Sequence, residues 1–141
     1  MTRRLALLFA VFAVVSAACS STVFSLEVGD CFDDPASFTQ VDNVEVVDCA
    51  DPHDNEVYAV VEYTESNDWP GNEAIEFAAF TECLDAFEPF IGVAYEVSKW
   101  DIAAFWPSEE SWNDANDREI ICAVYDLSGA KVTGTARGSA E

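Results

Sequence analysis

Five cysteines, at positions 19, 31, 49, 83 and 122, constrain this chain of 141 residues more than any other feature. What they can do depends on where the chain goes, and its first residues bear on that. Arg3 and Arg4 form a positive start, Leu5 to Val15 an apolar stretch, and Ser16-Ala17-Ala18 a small-residue cleavage zone directly before Cys19. This is the pattern of an export signal. The apolar run is shorter than the ~20 residues a membrane-spanning helix needs. Cleavage before Cys19 makes residues 1–18 a signal peptide. Cys19 then becomes a lipidated N-terminus, and residues 19–24 tether the chain to the outer face of the cytoplasmic membrane. Ordinary cleavage after Ala17 or Ala18, releasing a secreted protein, is the alternative. The odd cysteine count favours lipidation, because acylating Cys19 leaves four thiols that can pair.

Outside the cytoplasm, four cysteines in a small domain are expected to form disulfides. No C-x-x-C pair is present, which speaks against zinc. Three pairings are open. The favoured one joins Cys31 to Cys49, tying the first strand to the second, and Cys83 to Cys122, pinning a helix to the last strand.

The net charge is −21, and removal of residues 1–18 would take away two of the six basic residues and none of the 27 acidic ones. Such a chain lacks the basic footprint that nucleic acid requires, and anionic lipid would repel it. The acids are spread along the chain, which favours a solvated acidic surface over a cationic partner or weak divalent-cation binding. Half of the residues are apolar, so the chain can bury a core.

The patterning predicts an α+β domain over residues 25–127, a small antiparallel sheet packed against one main helix. Residues 25–32 read as a short strand followed by a Gly-Asp turn, and strands are expected over 44–49, 56–63, 101–106 and 119–125, with 94–97 short and extended. Ile75, Ala78, Ala79, Cys83 and Phe87 fall at helical spacing, and Phe77, Phe80 and Leu84 widen the apolar face. Asn72 is expected to cap this helix and Pro89 with Gly92 to end it. Ser108 to Trp112 reads as a turn or a single helical turn. Residues 128–141, small and polar with three glycines, read as a flexible C-terminal tail.

Three segments together resemble a known family: Val28-Gly29-Asp30-Cys31, Val46-Val47-Asp48-Cys49 and Pro52-His53-Asp54-Asn55-Glu56-Val57. They are similar to the septum-formation-type domain of actinobacterial cell-envelope proteins. Cys83, Trp106-Pro107, Trp112, Arg118 and Cys122 take that family's later positions, and the resemblance runs from Leu26 to Tyr125. It departs at Asn113 to Asp117, where a glycine is expected shortly before the Asp-Arg pair. The resemblance implies an envelope location and a link to septation. It implies no catalytic residue, cofactor or ligand.

The residues themselves suggest few sites. His53 is the only histidine and could pair with Asp51 or Glu56 as an acid–base couple; a turn histidine bonded to a backbone carbonyl is the favoured reading. Trp69, Trp106 and Trp112 could stack on a glycan or a protein partner. Trp69, on a loop beside Pro70-Gly71, is expected at the surface and Trp106 in the core. Arg118, among Asp114, Asp117 and Glu119, is expected to form a local ion pair. The sequence therefore points to a non-catalytic lipoprotein domain, an interaction or structural module of the envelope. A ligand-binding lipoprotein for a cationic solute, glycan or calcium is the runner-up, and a small hydrolase using His53 comes third.

Overall fold

The computed structural model describes residues 20–22, 25–34 and 43–141. The export signal, the Cys19 lipidation site and residues 35–42 lie outside the described residues. Six strands form one sheet: β1 (Ser20–Thr22), β2 (Cys31–Phe32), β3 (Asn43–Val47), β4 (Asn55–Glu62), β5 (Trp100–Phe105) and β6 (Glu119–Asp126). Their order is β1-β3-β2-β4-β6-β5, and every neighbouring pair is antiparallel. Helix α1 (Asn72–Ile91) covers one face, and α2 (Glu109–Asp114) is a short helix before β6.

The β-branched runs of β4 and β6 make the centre of the sheet, paired from Asn55↔Tyr125 to Glu62↔Glu119. A bulge between Val57 and Ala59 shifts their register. Val57 therefore packs on the face away from α1, with Leu26, Phe32, Val44, Ile121 and Ala123, whereas Tyr58 and Ala59 both pack on the α1 face. Ile75, Ala79, Cys83 and Phe87 recur at helical spacing and form the buried stripe of α1. Two links fix that stripe to the sheet. Cys83 is bonded to Cys122 of β6, and the Tyr58 hydroxyl donates to the Cys83 carbonyl at 2.6 Å. The second disulfide, Cys31–Cys49, ties β2 to the end of β3, so both favoured pairings are formed.

Several local expectations are corrected. Gly71, with φ 92°, is the N-cap of α1 in place of Asn72, which is the first helical residue. Pro89 lies inside the last turn, because a proline there removes a single backbone bond; the helix continues to Ile91 and stops at Gly92 in the left-handed region. Residues 95–97 form a 3-10 turn and not a strand. Ser20–Thr22, expected within a tether, pairs with Asn43–Glu45 along the outer side of β3.

The largest correction concerns the C-terminal segment. Residues 131–141 are docked against the fold and not a free tail. Val132 and His53 exchange two backbone hydrogen bonds of 3.0 and 2.9 Å. The amides of Gly138 and Ala140 donate to the carbonyls of Phe90 and Ile91, at 2.8 and 2.9 Å. Those carbonyls belong to the last turn of α1, where a helix has no intrahelical donors left. Arg137 lies over the Phe90 ring, and the Trp100 indole donates to Ser139 Oγ at 3.1 Å. The segment is a strap joining the β3–β4 turn to the end of α1. Its composition suggested freedom because the bonds that place Val132, Gly138 and Ala140 run between backbones, which side-chain patterning does not reveal.

Candidate interaction surface

His53 and Glu56 sit where the strap crosses the sheet. The His53 ring is fully buried, and its Nδ1 lies 2.8 Å from the Asp51 carbonyl. A carbonyl only accepts, so Nδ1 is the protonated nitrogen. Glu56 is also buried; its carboxylate accepts from the Ala136 amide at 2.6 Å and from the Thr135 hydroxyl. The Glu56 side chain and the His53 backbone thus hold the strap, while the His53 ring is tied within the β3–β4 turn.

The tryptophans divide in the opposite way from expectation. Trp69 is half-buried and meets Trp112 edge to face, with centroids 5.5 Å apart. Trp112 is buried, with Tyr63 on another side at 5.6 Å. Arg118 makes no ion pair among the described residues. Its guanidinium instead lies 3.5 Å from the Trp112 centroid and donates to the carbonyls of Trp112, Asp117 and Asn67. Asn116, with φ 54°, takes the left-handed position nearby, and asparagine tolerates that conformation without the expected glycine. Trp69, Trp112 and Arg118 therefore build the α2 corner.

Trp106 is the exposed tryptophan, at 40% of its surface. With it stand two α1 residues that sequence reasoning placed on the buried face: Phe77 is 75% exposed and Phe80 48%. The helical period explains this, since Phe77 lies about 200° around the axis from Ile75, on the side opposite the buried stripe. The three-residue spacing of Phe77 and Phe80 puts them on one side of the helix, and that signal was available in the sequence. Together with Trp106 they line an open groove whose floor is Ile102 and Ala104 of β5 and whose rim carries Glu73 and Glu76. Among the described residues β5 is the last strand of the sheet and pairs with β6 alone, so its other edge borders the groove. An apolar groove with an acidic rim beside a sheet edge can dock another chain; exposed aromatic surface of this kind marks interaction sites.

Among the described residues, no group of three or more histidine, cysteine, aspartate or glutamate side chains is placed to hold a metal ion. No helix among them is long and apolar enough to cross a membrane.

Two membrane proteins of Mycobacterium tuberculosis described as uncharacterized, one from strain CDC 1551 / Oshkosh and one from strain ATCC 25618 / H37Rv, are each 26% identical to this chain over 105 residues. The match covers 68% of this chain but 23% of each relative, so the chain spans less than a quarter of their length. No solved structure matches. The family model described as septum formation matches residues 28–141, from the Gly29 turn through both disulfides to the end of the strap, and the chain belongs to that septum-formation family.

Proposed function

We propose that this chain is a non-catalytic interaction module of the cell envelope, held to the outer face of the cytoplasmic membrane by a lipid on Cys19 and serving septation through contacts with other envelope components. The observation that carries this reading is the exposure of Phe77, Phe80 and Trp106 around one groove. A monomeric domain has little reason to keep three large aromatic side chains in water together. The strap supports the same reading, since it occupies Glu56, and the His53 ring is fully buried, the two residues an acid–base mechanism would have used. The anchor is supported by the pattern of residues 1–19 and by the membrane proteins among the relatives.

Two measurements test it. Intact mass of protein purified from membranes should correspond to a chain beginning at Cys19 with a diacylglyceryl group; an unmodified mass would contradict the anchor. The variant carrying Phe77→Ser and Trp106→Ser should fold with both disulfides formed. On native gels of solubilised membranes it should migrate as the isolated chain, where the parent migrates in a larger assembly. Identical migration of the two would contradict the interaction face.

A further inference from the structure

Resting on that reading, we propose that the groove takes an extended polypeptide segment bearing lysine or arginine among apolar residues, which adds antiparallel to β5 as a further strand of the sheet.

The hydrogen-bond phase of β5 shows which backbone groups are on offer. The Leu127 amide donates to the Lys99 carbonyl at 2.9 Å, in register with the Trp100↔Asp126 pair that follows. In an antiparallel ladder bonded pairs alternate, so Asp101, Ala103 and Phe105 bond to β6, and Trp100, Ile102 and Ala104 point their amides and carbonyls away from it. Two of those outward amides are already covered. Ser98 Oγ takes the Trp100 amide at 3.0 Å, and Asp101 Oδ1 takes that of Ile102 at 2.8 Å. Among the described residues, no such side chain covers Ala104. The edge is thus guarded at its Trp100 end, as exposed edges usually are, and open at its Trp106 end. The opening coincides with the aromatic groove.

A strand laid there would find the Ile102 carbonyl and both backbone groups of Ala104. Every second side chain would fall on the α1 face of the sheet, over Phe77 and Phe80, with Trp106 at the end. This is strand addition, in which backbone bonds give affinity and alternate side chains give choice of partner.

Charge selects the occupant. Glu73 and Glu76 on the rim and the rest of the net charge of −21 attract a basic segment at long range, its lysines lying on the face away from α1 and its apolar residues over Phe77 and Phe80. They disfavour a second copy, which would bring the same carboxylates together. Lipid fits poorly: anionic headgroups would be repelled, and hydrocarbon cannot satisfy the Ala104 amide. The N-terminal strand β1 sits at the opposite end of the sheet.

The probe is a peptide of roughly ten residues alternating lysine and valine, long enough to match β5. Binding to the purified, disulfide-bonded chain is followed by tryptophan fluorescence and by hydrogen exchange at Ala104. In the proposed pairing, valines face α1 and their amides point at β5. N-methylation of the valines should therefore weaken binding about tenfold or more, whereas N-methylation of the lysines should not. The peptide should slow exchange at Ala104, and a glutamate–valine peptide should bind about tenfold more weakly or worse. Equal binding of both methylated peptides, or of the acidic peptide, would overturn the proposal, as would binding of phosphatidylcholine vesicles with no peptide bound. Ala104→Pro adds a check within the protein, because it blocks an outward amide that an edge strand can spare. If the Phe77/Trp106 variant leaves the larger assembly while Ala104→Pro remains in it, the strand pairing is overturned and the interaction face stands.

Discussion

The Arg118 guanidinium lies over the Trp112 ring, 3.5 Å from its centroid, and donates to three backbone carbonyls at the same corner. A planar group can stack and donate along its edge at once, and an ammonium cannot. Arg118→Lys should therefore destabilise the fold by about 1–2 kcal/mol, measured by urea denaturation. An unchanged urea midpoint would count against the stack as a structural element.

Glu56 links β4 to the strap through Thr135 and Ala136. Glu56→Ala leaves both donors without their acceptor and should cost about 1–3 kcal/mol. The effect should be local as well as global. Amide exchange at Gly138 and Ala140, which bond to the end of α1, should accelerate more than exchange in β6.

The two disulfides close loops of different length, with separations of 18 for Cys31–Cys49 and 39 for Cys83–Cys122. In the chain-entropy picture their removal costs about 3 and about 4 kcal/mol respectively. Paired alanine substitution should thus lower the thermal midpoint more at Cys83 and Cys122, where the helix is also joined to the sheet. Equal midpoints for the two variants would argue against loop length as the source of the difference.

Stability should fall at both ends of the pH scale through one cluster. Burial raises the Asp101 carboxyl, but hydrogen bonds from the Tyr95 hydroxyl, the Ile102 amide and the Tyr125 hydroxyl outweigh it and hold the group below its usual range. A carboxyl that titrates lower when folded stabilises the protein above its unfolded value of ~3.9, and that contribution disappears as pH falls through the folded value. The bond to Asp101, followed by burial, pushes the Tyr95 phenol up to about 12. Its contribution is complete below the unfolded value of ~10 and is lost as pH rises through the folded one. Tyr95→Phe should move the acid transition to higher pH and flatten the loss between roughly pH 10 and 12, followed by circular dichroism.

Much of the scaffold was legible because it is written in side-chain period. The β-branched runs of β4 and β6 and the stripe Ile75, Ala79, Cys83, Phe87 follow from spacing and burial, whereas the cysteine spacing left three pairings open, of which the favoured one is formed. The strap was not legible, since its bonds run from the backbone amides of Gly138 and Ala140 to helix-end carbonyls, and Ala136 is its only core side chain. The surface was half legible. Trp106 was recognised as a candidate, but hydrophobicity alone placed it inside. Phe77 and Phe80 were counted with the core although their angular positions on α1 set them apart from it.

The most direct test of the account is site-specific photo-crosslinking in living cells, with benzoyl-phenylalanine placed in turn at Trp106 and at Leu127, a residue 64% exposed and outside the groove. Position 106 should give a discrete protein adduct, joined through an extended basic segment, and position 127 should give none. Adducts of equal yield from both positions, or adducts from 106 that carry only lipid or glycan, would contradict it.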